Sequence, residues 1–195
     1  MEPYELDREL VVRQTDARIA TTTSERQRRM LEVYREHMIA EMGGELDRLM
    51  ATMVPEPRFH SWSPNGDQSP KGRDAVMAFY GEWFALKANW FDVDIQRMVV
   101  DDEFVVVEIV QRMIMPAESY LAGRWGRHLR RADGTLAEDL DPTGHYLLIG
   151  QSVNVIPFDE QCLMTGEDGY SSGPSSRRRL DDAEVSPTYL AFLAS

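Results

Sequence analysis

The chain has 195 residues, 43% of them apolar, and a formal net charge of −12. That length fits one domain with a real core. The acidity argues against a nucleic-acid partner, which asks for a basic face to neutralise phosphates, and against docking on an anionic membrane.

Cys162 is the one cysteine, so no internal disulfide can form, which suits a reducing cytoplasm. No apolar run approaches the ~20 residues of a membrane span. The opening MEPYELDREL is acidic and lacks the apolar stretch of a secretion signal. Residues 1–22 are polar, end in a threonine run, and are expected to form an arm outside the core, partly helical. A helix then starts at Ser24, with Gln27 three residues on in a capping-box pattern. Leu31, Tyr34, Met38 and Met42 follow at helical spacing on one face. Gly43 and Gly44 end this helix. A second helix carries Leu46, Leu49, Met50 and Met53, with Pro55 and Pro57 expected to stop it.

RFHSW, residues 58–62, reads as a short strand and SPNGDQSPKG as a loop. Val76, Phe79 or Tyr80, Trp83 and Leu86 mark a third amphipathic helix. After Asn89 the period changes to two. WFDVDIQRMVV, then EFVVVEIVQRMIM after a turn at Asp101 and Asp102, read as strands. Residues 116–144 are long and polar, an insertion of the kind that often shapes a binding site. HYLLIGQSVNVIPF is the next strand and QCLMTGEDGYSS the last. Residues 173–195 form a tail ending in YLAFLA, either loose or docked on the core or a partner. Helices followed by consecutive strands give an α+β fold. Three helices are expected to pack on a curved, mostly antiparallel sheet, with a pocket along the axis of the cone.

Three segments carry a resemblance: RFHSW…KGRDAVMAFYGEWF, VDDEFVVVEIVQRM and IPFDEQCLMTGEDGYSS. In this order they resemble the strand–loop–helix, central hairpin and closing strand pair of the NTF2-like superfamily, its SnoaL-like and ketosteroid-isomerase-like group. The resemblance covers about residues 24–172. It implies a cone-shaped NTF2-like (cystatin-like) barrel in residues 23–172, an apolar pocket for a small apolar ligand or substrate, and a homodimer formed through the sheet. It also implies proton-transfer chemistry without a cofactor: isomerisation, cyclisation or dehydration of a polycyclic, terpenoid or polyketide-like substrate. A binding or interaction module without chemistry stands as the alternative. Ser61 falls where the steroid isomerases keep a basic aspartate, and the Arg-x-Asp pair of the limonene epoxide hydrolases is absent from the Phe104–Met115 strand.

Candidate site residues follow from chemistry. His60 is a proton carrier or a strand-end histidine bonded to a carbonyl. Tyr34 falls roughly where the isomerases keep an oxyanion-donating tyrosine. Glu108, among valines and isoleucines, is either a pocket carboxylate with a raised pKa or an outward ion pair with Arg112. Trp62, Phe79, Trp83, Arg112, His145 and Asn154 are expected to bind substrate. Glu167 and Tyr170 are read as structural. His37 lies beside the first helix's stripe without an evident companion, and no histidine pair has the spacing of a metal site.

Overall fold

A computed structural model describes residues 2–62, 66–67, 69–123, 135 and 140–195, the side chains of 172–175 excepted. The elements in chain order are α1 (Leu10–Thr21), α2 (Glu25–Gly43), α3 (Leu46–Met50), β1 (Met53–Trp62), α4 (Arg73–Ala85), β2 (Phe91–Val100), β3 (Phe104–Pro116), α5 (Ala117–Ala122), β4 (His145–Pro157), β5 (Met164–Arg179) and α6 (Pro187–Ala194).

The α2 helix begins as its cap residue dictates. Ser24 accepts the Gln27 backbone N–H, satisfying one of the donors a helix start leaves open. The Gln27 side chain does not return to Ser24. It donates to Asp102 at 3.0 Å and ties the helix start to the β2–β3 turn. Gly44 closes the helix at φ 71°, a left-handed conformation that suits glycine. Leu31, Tyr34, Met38 and Met42 are all buried, and so are Met30, Val33, His37 and Ala40. The helix is covered on more than one side because α1 packs across it. Residues 10–21 therefore do not stay outside the core. Val11, Val12 and Thr15 are buried, and the Thr15 hydroxyl is satisfied by the Val11 carbonyl at 2.8 Å.

The strands form one mixed sheet, curved and not closed, in the order β1-β5-β4-β3-β2. β1 pairs with β5 in parallel and the other pairs are antiparallel. Pro55 and Pro57 stop no helix here; they lie inside β1. β1 is an edge strand whose register breaks between Met53 and Arg58, and an edge or irregular strand tolerates residues without an N–H. Opposite Arg58 stands Gly166, where a Cβ would fall 1.7 Å from the Arg58 carbonyl oxygen. Only glycine allows that approach.

Alternation sorts each strand's side chains between two faces. Val105, Val107, Ile109, Met113 and Met115 of β3 join the helices in the main core. Ile114 points the other way, into a second cluster with Trp90, Leu147, Leu180 and Tyr189. The tail builds that cluster. β5 runs on to Arg179, beyond its expected end, and pairs with the start of β4. α6 then returns, with Phe192 and Tyr189 against Trp90 and the Arg8 guanidinium 4.3 Å from the Trp90 ring. Within the 116–144 insertion, Ala117–Ala122 is helical; residues 124–134 and 136–139 lie outside the described residues. Among the described residues no helix is long and apolar enough to cross a membrane.

Tyr189 is fully buried in this clasp. Tyr189→Ala is expected to destabilise the protein by about 3 kcal/mol or more, the usual loss for a buried aromatic, measured by urea unfolding. A loss below about 1 kcal/mol, the range of exposed substitutions, would contradict the docking of the tail.

Candidate active site

Between α2, α4 and the concave face of the sheet lies a cavity of about 220 Å³. Its helical wall is set by spacing. Tyr34, His37, Met38 and Glu41 occur three, four and seven residues apart and share one face of α2. α4 adds Phe79, Tyr80 and Trp83. Phe59 of β1 meets Phe79 and Tyr80 edge to face, at centroid distances of 6.3 and 6.0 Å, the arrangement aromatic quadrupoles favour. The sheet wall is more polar. Gln111 of β3, Ser152 and Asn154 of β4, and Glu167 and Ser171 of β5 line it. Ser152 stands opposite Ser171, and Asn154 opposite Gly169.

His37 is 1% exposed. Its Nδ1 is 2.8 Å from Thr52 Oγ1 and its Nε2 is 3.2 Å from the Tyr80 hydroxyl. Glu41 Oε2 is 3.9 Å from Nε2. Burial disfavours the charged imidazole and pushes its pKa down to about 4, so the ring is neutral near pH 7. Tyr34, 3% exposed, is pushed the other way. Burial, then the charges of Glu167 and Glu41, hold its hydroxyl protonated far above the usual tyrosine range. The cavity thus sets two tyrosine hydroxyls, a neutral imidazole and two carboxylates around a small space. Among the described residues no cluster of three His, Cys, Asp or Glu has the geometry to hold a metal ion.

The residues expected from the sequence divide into two groups. Tyr34, Phe79, Trp83 and Asn154 line the cavity. His60 reaches only its rim. Phe59 points inward, so the neighbouring imidazole belongs to the opposite face. There it stacks on Trp62 at 10° and 5.9 Å. Its Nδ1 is 2.7 Å from Asp67 Oδ2, and its side chain is 37% exposed. Asp67 also accepts from Lys71 and from the Ser69 and Ser61 backbone N–H groups. These bonds, that of Lys71 foremost, hold its carboxyl well below the usual range. His60 is thus part of a surface network and does not project into the hollow.

Glu108 also lies outside. Val107 and Ile109 face the core, so Glu108 faces away and pairs with Arg97, its cross-strand neighbour, at 2.5 Å. Arg112 is on that same outer face, bonded to Asp92 at 2.8 Å and not to Glu108. Trp62 is half exposed and stacks on Tyr170. His145 is bonded to the Tyr189 hydroxyl at 3.2 Å, beneath α6. Glu167 was expected to be structural, yet it lines the cavity.

Tyr80 belongs to the apolar stripe of α4; His37 and Glu41 are the lining residues that an apolar stripe does not single out. A signal did exist. His37 and Glu41 are four residues apart on the flank of the stripe holding Tyr34 and Met38, and two polar residues so placed on a largely buried helix need partners.

A family model of the SnoaL-like domain matches residues 28–139, more than half of the chain. No curated protein matches the chain. Among solved structures, a protein assigned as a SnoaL-like polyketide cyclase from Jannaschia sp. CCS1 superposes with a TM-score of 0.55 at 14% identity, over 78% of this chain and 91% of its own. Rv0760c from Mycobacterium tuberculosis gives 0.51 at 14% identity, over 82% and 100%. SalBIII, an epoxide hydrolase/cyclase-like enzyme of pyran ring formation in the polyether salinomycin, gives 0.50 at 12% identity, over 77% and 95%. At these identities the superpositions speak for the fold alone, a cystatin-like α+β cone. Together with that fold, the family match establishes that this chain belongs to the SnoaL-like family of the NTF2-like superfamily.

Proposed function

We propose that the chain is a small-molecule enzyme that uses its own side chains to move protons on an oxygenated polycyclic, terpenoid or polyketide-like substrate, in an isomerisation, cyclisation or dehydration. The observation that carries this is the placement of His37, a buried neutral imidazole at the cavity between Glu41 and the Tyr80 hydroxyl. A neutral imidazole accepts and returns a proton. Tyr34, kept protonated, is a donor for a developing oxyanion, a role worth roughly 10²–10³ in rate. The aromatic helix side and the hydroxyl and amide sheet side favour a flat ligand with oxygen along one edge. A cyclase-like protein and a pyran-forming enzyme among the structural neighbours agree with this reading.

The test is solvent deuterium exchange, read by mass spectrometry, into a panel of cyclic ketones, enones and hydroxyketones. The native protein is expected to exchange carbon-bound hydrogen faster than buffer. His37→Gln should lose about 10²–10⁴ of that rate with an unchanged circular dichroism spectrum. Exchange at the buffer rate across the panel, or an undiminished rate in the variant, would contradict the proposal.

The outer sheet face is the proposed homodimer surface. Trp62, Tyr170 and Val153 stand in one register row across β1, β5 and β4, exposed by 51%, 47% and 37%. Apolar side chains aligned on an exposed sheet mark an interaction surface. Sedimentation equilibrium is expected to give a dimer, and Trp62→Arg to raise the dissociation constant at least about tenfold, as interface aromatics do. A monomeric native protein would overturn this.

A further inference from the structure

We infer that Thr52 is a positioning residue that holds the His37 imidazole with its proton on Nδ1 and so leaves Nε2, beside the Tyr80 hydroxyl, as the nitrogen that accepts a proton. This rests on the proton-transfer reading above and assigns the atoms through which it runs.

A threonine hydroxyl has one proton to give. That of Thr52 goes to the Leu49 carbonyl, 2.6 Å away. What Thr52 turns toward His37 Nδ1, at 2.8 Å, is a lone pair. Nδ1 is therefore the donor of that bond, and a neutral imidazole with N–H at Nδ1 carries its lone pair at Nε2. Burial keeps the ring neutral. The Tyr80 O–H lies 3.2 Å from that lone pair. The bonds thus run in one sense: Tyr80 to His37, His37 to Thr52, Thr52 to the Leu49 carbonyl.

Thr52 is placed to enforce this. It is 4% exposed and occupies the joint between α3 and β1. Its backbone N–H also goes to the Leu49 carbonyl at 3.1 Å, and its own carbonyl accepts from Met164 of β5 at 3.0 Å. A β-branched side chain on a backbone fixed at both ends has little χ1 freedom.

The step balances. A substrate proton passes to the Tyr80 oxygen while the Tyr80 proton passes to Nε2, giving a substrate anion and an imidazolium. The Glu41 carboxylate, 3.9 Å from Nε2, lies beside the new positive charge. An imidazolium in so dry a site returns its proton readily, by the reverse path, to a second position on the substrate.

The test is long-range ¹H–¹⁵N correlation of histidine side chains in the native protein at pH 7.5, with the His37 signals identified by their loss in His37→Gln. The native ring is expected to show a pyrrole-type Nδ1 and a pyridine-type Nε2. Thr52→Val, close in shape but without the acceptor, is expected to move the proton to Nε2. Thr52→Ser is expected to restore the native pattern. A native ring already protonated at Nε2 would overturn the inference, and so would an unchanged pattern in a folded Thr52→Val. If Thr52→Val does not fold, the native and Thr52→Ser spectra decide alone. An Nδ1–H ring in a protein that exchanges no deuterium would sink the proposed chemistry and leave the tautomer assignment standing.

Discussion

Taking the His37 imidazole out of water is the constraint around which the cavity is built. A buried polar group costs several kcal/mol unless its hydrogen bonds are replaced. Here both ring nitrogens have partners, and these come from elsewhere in the chain: Thr52 from the α3–β1 joint and Tyr80 from α4. One ring thus ties α2, the start of the sheet's edge strand and α4 together. Thr52 extends the tie to β5 through its carbonyl bond to Met164. The same network that makes burial tolerable fixes the ring where a ligand would meet it.

The two faces of the sheet do different work. On the concave face, alternate residues of β3, β4 and β5 line the cavity. On the other face Arg97 pairs with Glu108 and Arg112 with Asp92, each to its cross-strand neighbour. The first pair is well exposed and adds little stability. Asp92 is buried, and its desolvation, only partly offset by Arg112, leaves its pKa raised. Beside the Arg112–Asp92 pair, α6 and the N-terminal Tyr4 and Leu6 close over Trp90, Ile114 and Leu147, a small second core that the chain's two ends cover.

Much of this architecture was readable from local patterns. A cap at Ser24, a stop at Gly44 and the change from a period of 3.6 to one of 2 after Asn89 are short-range signals, and they located α2, α4 and the strands. Where reading failed, the deciding contact was long-range. Pro55 and Pro57 look like helix stops until β1 is known to be an edge. YLAFLA has no evident partner until β3 and β4 present Ile114 and Leu147. α1 looks like a polar arm until α2 is seen to need a cover. For His60 and Glu108 the sequence leaves two readings open, inward or outward, and a single step of strand parity decides between them: Phe59 and Ile109 take the inward places. His37 shows no hydrogen-bond companion in the sequence because Thr52 and Tyr80 lie 15 and 43 residues away, and no local pattern announces them.

The central claim is that His37 sits neutral in a dry, hydrogen-bonded site at the cavity. The most direct measurement is an NMR pH titration of its ring carbon-bound proton, tracked from pH 8 downward. The structure predicts that the ring stays uncharged until the pH approaches about 4. The folded protein then binds fewer protons than the unfolded chain between about pH 6.5 and 4, and loses stability across that interval as the pH falls. A midpoint near the ordinary histidine value of about 6.5 would mean that water reaches the ring, and would contradict the account.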